Sequence, residues 1–273
     1  MFVAVRQDVA GREIRRAHSG LKRIFMRRDL YTLEYRGDGK ARFALVTLRD
    51  ERGWRELRRI CGLGAARIVS ASPIDGRYAA RFEPAVFLRV LLFNTALRLL
   101  ESLECPERWL DIDIVDIHGV CAGFIEPVVR RCRRVRVVTC RAERYRALTR
   151  RLLCEYGAAL TVSPPDAKPG GALCLLGDGE AAADGTVLRC HGEPKTPSEL
   201  LILEPETPEW AREIIPPEFS PRELLGAMYE INREERCGEL CAALLLDCRG
   251  NVLSRSEACE KITALLKSRR QAS

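Results

Sequence analysis

Between Leu110 and Val162 the chain alternates short apolar runs with longer, charge-rich segments of helical pattern, and this beat restricts the fold more than any other feature. Asp111–Ile117 (DIDIVDI), Val135–Thr139 (VRVVT) and Ala158–Val162 read as strands, and Phe124–Cys132 and Ala142–Tyr156, closed by Gly157, as helices. A βαβαβ order of this kind predicts a parallel sheet, because successive parallel strands need a crossover to return to the same edge. After the loop Ser163–Gly170, the runs Ala172–Leu176, Thr186–Cys190 and Leu200–Leu203 are short, apolar and bounded by Gly, Asp or Pro. Strands buried on both faces look like this, and the segments between them are too short for full crossover helices.

The flanks carry other signals. Tyr31–Arg36 and Ala41–Leu48 surround Gly37-Asp38-Gly39-Lys40, a hairpin pattern. A short helix is predicted near Gly53–Cys61, a strand at Ala66–Ala71, and a long core helix from Pro84 to Ser102, opened by a proline whose missing donor costs nothing there. In the tail, Ser220-Pro221-Arg222-Glu223 is a capping box for a helix reaching about Glu235, Glu239–Leu246 is a second apolar run read as helical, and Ser254–Glu257 caps a last helix. These elements divide the chain into an N-terminal α+β region (1–104), a central parallel-sheet domain (105–205) and a helical C-terminal extension (206–273).

Charge is split along the chain. Met1–Ile60 holds 16 Lys and Arg against 8 Asp and Glu, whereas Glu155–Asp247 holds 7 against 18. Either the basic part meets an acidic partner or it meets the chain's own acidic segment. Nucleic acid is not expected, since no recognised motif or aromatic-interleaved stripe accompanies the charge. The most apolar stretch, Ala85–Leu100, is interrupted by Arg89, Asn94 and Arg98 and is too short for a membrane span. No apolar run follows Met1, so the twelve cysteines are expected as thiols in a cytoplasmic protein.

The segment that carries chemistry is Asp113–Pro127, where a strand ends, the chain turns through Gly119 and Gly123, and a helix begins. Glycines at such a turn let backbone amides approach an anion at a helix N-terminus. On this pattern Leu110–Pro205 resembles Rossmann-type nucleotide-binding domains, though Cys121 and Phe124 stand where the glycine fingerprint has its second and third glycines. After the second strand, Thr139-Cys140-Arg141 is similar to the signature of NADP-dependent shikimate dehydrogenase domains. That resemblance implies Arg141 and Arg144 as groups meeting the 2′-phosphate of NADP. The Lys and Asp pair with which that family works has no match here. Ile114–Gly119 also looks like the acidic-then-glycine strand end that holds S-adenosylmethionine, with Asp116 as the acid.

The candidate ligand-binding set is therefore Asp116, His118, Gly119, Cys121, Gly123, Thr139, Arg141, Arg144 and Asp178. His118 and His191 form a candidate acid–base pair at strand ends, and Cys121, near a helix start, is a candidate for a lowered pKa. Cys237 and Cys241, four apart on a predicted helix, lack zinc spacing and are expected to pack as small apolar groups. The expected fold is α/β with a Rossmann-like parallel sheet. The expected function is a binding or regulatory module that takes a nucleotide, small-molecule or protein partner; an NADP-dependent oxidoreductase and an S-adenosylmethionine-dependent transferase are the alternatives.

Overall fold

The computed structural model describes residues 2–7, 31–48, 53, 68–71, 82–103, 110–132 and 134–271. In chain order its elements are β1 (Val3–Gln7), β2 (Tyr31–Arg36), β3 (Phe43–Leu48), β4 (Ile68–Ser70), α1 (Ala85–Ser102), β5 (Asp111–Asp116), α2 (Glu126–Arg131), β6 (Arg134–Val138), α3 (Arg146–Tyr156), β7 (Leu160–Ser163), β8 (Leu173–Asp178), β9 (Thr186–Arg189), β10 (Glu199–Pro205), α4 (Glu209–Ile214), α5 (Pro221–Asn232), β11 (Ala242–Asp247), β12 (Val252–Ser254) and α6 (Arg255–Gln271). They form two compact units, Met1–Phe87 with Thr207–Gly238, and Leu88–Glu206 with Glu239–Ser273. The expected helix near Gly53–Cys61 falls almost wholly outside the described residues.

In the first unit a four-stranded sheet runs β2-β3-β1-β4. β2 and β3 are the expected antiparallel hairpin, and β1 lies parallel to both β3 and β4. Phe2 and Phe43 stack with centroids 5.3 Å apart, and β3 is buried at every position but Thr47. The basic N-terminal strands meet the acidic segment of the same unit: Arg6 pairs with Glu218 at 2.5 Å and Lys40 with Glu235 at 3.0 Å. Part of the charge split is thus satisfied within the chain. The Ser220 side chain makes no capping bond to α5, and Pro221 at the first helical position already removes one unsatisfied donor.

The second unit is built on an eight-stranded sheet ordered β12-β11-β10-β9-β8-β5-β6-β7. From β7 to β10 every neighbouring pair is parallel, and β11 and β12 are added antiparallel at one edge. This is the α/β class with a large parallel sheet that the sequence predicts. The β8–β9 and β9–β10 connections carry no helix. Chain order reverses between β5 and β8, the position at which open α/β sheets generally admit ligands. α1 is buried along most of its length, and its polar residues have work: Asn94 Nδ2 donates to the Leu240 carbonyl (2.9 Å) and Thr95 Oγ1 accepts from the Ala242 amide (2.8 Å). Among the described residues no helix is long and apolar enough to cross a membrane.

One expectation is corrected within the tail. The apolar run Glu239–Leu246, read as helical, is largely strand β11, and it returns through β12 as a hairpin. Asp247 decides this: its carboxylate accepts from the amides of Arg249 (2.9 Å) and Asn251 (3.0 Å), and Gly250 takes φ +80°. An Asp at the start of a Gly-Asn turn competes with helix propagation. Cys237 and Cys241 accordingly do not share a helix, although both are buried as expected.

Candidate functional site at the sheet crossover

β5 is a ladder of alternating apolar residues whose two inner acids, Asp113 and Asp116, are buried. A buried carboxylate must find donors or lose its charge. Asp113 is held by Arg136 through two bonds, of 2.8 and 2.7 Å, and accepts from the amides of Gly170 (2.6 Å) and Gly171 (2.7 Å). Asp116, at the end of the strand, finds its donors in the loop that follows.

That loop folds around Asp116. Gly119 takes φ +70° and its amide donates to the Asp116 carbonyl (3.2 Å), which reverses the chain. The Asp116 carboxylate then accepts from the Val120 amide (2.9 Å), the Cys121 amide (2.8 Å) and the Tyr145 hydroxyl, and it is 0% exposed. The Gly119 turn cannot carry a side chain, because a Cβ there would lie 2.7 Å from Arg144 Cδ and 2.9 Å from Arg141 Cβ. Gly123, by contrast, has open space where a Cβ would stand. α2, the helix that follows, is a single short element of six residues.

The remaining predicted residues gather around this loop in different ways. Thr139 Oγ1 donates to the Ile117 carbonyl (3.3 Å) and accepts from the Arg141 amide (3.0 Å), tying the ends of β5 and β6 together. Arg144 Nη1 donates to the Gly119 carbonyl (3.2 Å), while Arg141 is exposed. Asp178, at the end of β8, accepts from the His118 amide (3.1 Å) and lies 2.5 Å from His118 Nδ1. The partner of His118 is thus Asp178; His191 sits beyond β9, where its carbonyl accepts from Arg189 Nε (2.7 Å).

Cys121 is a correction. The Cys121 thiol packs against Gly177, where a Cβ would come 2.4 Å from Sγ, and it is fully buried. Burial, then the charge of Asp116, pushes its pKa up rather than down. Burial, then the hydrogen bond it donates to Asp116, raises the Tyr145 hydroxyl. A thiol so placed is a packing group, not a nucleophile.

Two residues that the sequence reading passed over organise the region. Tyr145 is the one buried side chain at the start of an otherwise charged helical segment, a contrast that could have marked it. Arg189 is 3% exposed at the end of β9 and bonds the Glu193 carbonyl (2.9 Å), Glu199 (3.0 Å) and Glu180. In sequence it is simply one polar residue in an apolar strand. Compared with known proteins, the chain matches no protein-family model and no curated protein.

Proposed function

We propose that this chain is a cytoplasmic binding or regulatory module built on a Rossmann-like sheet whose crossover loop is closed on its own carboxylate. The observation that carries this reading is the bonding of Asp116 to the Val120 and Cys121 amides. In a dinucleotide site such amides face the pyrophosphate; here an internal anion already takes them. The same burial argues against a transferase, because an acid that grips the ribose of S-adenosylmethionine must face a cleft and Asp116 is 0% exposed. Arg144, one of the two arginines that the NADP reading assigns to the 2′-phosphate, donates instead to the Gly119 carbonyl of its own loop.

Amide hydrogen exchange tests this at the atoms concerned. The Val120 and Cys121 amides are expected to exchange slowly in the ligand-free protein and to keep their rates and chemical shifts in excess NADP. Exchange as fast as that of exposed loop amides, with protection gained only when NADP is added, would overturn the reading.

A further inference from the structure

β2 is the outermost strand of the first unit's sheet, and among the described residues it is hydrogen-bonded on one side only, to β3. A free strand edge is a row of unpaired backbone donors and acceptors, which natural proteins blunt with proline, bulges or like charges. β2 has no proline and no net charge of its own beyond the pair Glu34 and Arg36. Leu33 is 48% exposed and Tyr35 52%, on the face opposite Glu34 and Arg36, so both faces of the strand reach solvent. The neighbouring strand β3, by contrast, is buried at nearly every position. Within the strand Arg36 Nε pairs with the Glu34 carboxylate at 2.8 Å.

The order of these residues is self-complementary. When two β2 strands are placed antiparallel about a two-fold axis at Tyr35, Tyr35 stands opposite its own copy. Glu34 of each chain then stands opposite Arg36 of the other, twice over, and Leu33 meets the turn glycine Gly37. A two-fold contact requires one patch that complements itself, and cross-strand aromatic and opposite-charge pairs are the ones that stabilise antiparallel ladders. We infer that β2 is a self-association edge, through which a second copy of this chain continues the four-stranded sheet by antiparallel pairing, with Glu34 and Arg36 exchanging partners between copies.

Sedimentation velocity of the full chain over a range of concentrations tests the inference. A dimer is expected to grow with concentration and to weaken at high salt. Glu34→Lys sets a cation against Arg36 of the second copy at two places and is expected to raise the dissociation constant roughly tenfold. The exchanged pair, Glu34→Arg with Arg36→Glu, is expected to restore the wild-type value. Circular dichroism of each variant confirms that these exposed substitutions leave the fold intact, and Tyr35→Lys, which puts two ammonium groups face to face on the axis, should disperse the dimer independently. A chain that stays monomeric at every concentration, a dimer indifferent to both Glu34→Lys and Tyr35→Lys, or an exchanged pair that fails to reassociate would each overturn the inference.

Discussion

The Asp116 carboxylate gathers the Val120 and Cys121 amides and the Tyr145 hydroxyl around the end of β5. Its place at the end of the first strand of the large sheet, as the opening residue of the turn that Gly119 closes, is legible because acid-then-glycine strand ends follow a physical rule about anion approach. What the sequence could not tell is which way the carboxylate faces. That depends on Tyr145, which lies 29 residues further on and supplies a buried hydroxyl. The same holds for Cys121: proximity to a helix start suggested activation, whereas burial against Gly177 makes the thiol inert. Asp116→Ala strips the acceptor from the partly buried Val120 amide, the buried Cys121 amide and the buried Tyr145 hydroxyl. Leaving such donors unmet is expected to cost about 3 kcal/mol, read as a fall in the urea midpoint with the slope unchanged. A loss under about 0.5 kcal/mol would place the carboxylate outside the loop's support, at the level of an ordinary surface substitution.

At the scale of elements, strand identity was more legible than the manner of connection. The apolar runs from Leu173 to Pro205 form β8, β9 and β10 within a few residues of their expected limits; β8 and β9 are buried on both faces, which leaves a continuous apolar signal, while β10 alternates buried and half-buried positions. β11 was misread because an apolar run of that length suits either a helix or a strand, and the deciding signal lay in the turn that follows it. Asp247 also gives that turn a pH dependence. Burial alone would raise its pKa, but hydrogen bonds from the Asn251 backbone and side chain, the Lys261 ammonium and the Arg249 amide prevail and hold it well below the usual carboxylate range. The folded state therefore favours the ionised form, and the unfolded chain takes up the proton first, near pH 4. Stability from this turn is fully present above about pH 4 and is lost as pH falls below it. Urea unfolding at a series of acidic pH values should show a shallower decline for Asp247→Asn than for the parent chain; identical declines would remove Asp247 from the account. The capping box at the start of α6 did form as expected, with the Ser254 amide and hydroxyl both donating to Glu257 at 2.7 Å.

For the whole molecule, the charge split proved informative and also incomplete. The acidic residues 207–238 belong to the same compact unit as the basic N-terminal strands, an association over roughly two hundred residues of sequence that local pattern reading cannot supply because the chain leaves one unit and returns to it. The parallel sheet, by contrast, follows from a local rhythm and was legible. Its functional consequence was not, since the resemblance to nucleotide-binding domains rests on strand order and turn position, while ligand binding rests on which amides are left free. Thermal unfolding of the reduced protein with NADP, NAD, S-adenosylmethionine and adenine nucleotides tests this most directly. A ligand at a hundred times its dissociation constant stabilises the folded state by about 2.7 kcal/mol, so binding would be plain in the midpoint. No shift is expected with any of them. A rise with NADP that Arg141→Ala abolishes would contradict it and make the crossover loop a cofactor site.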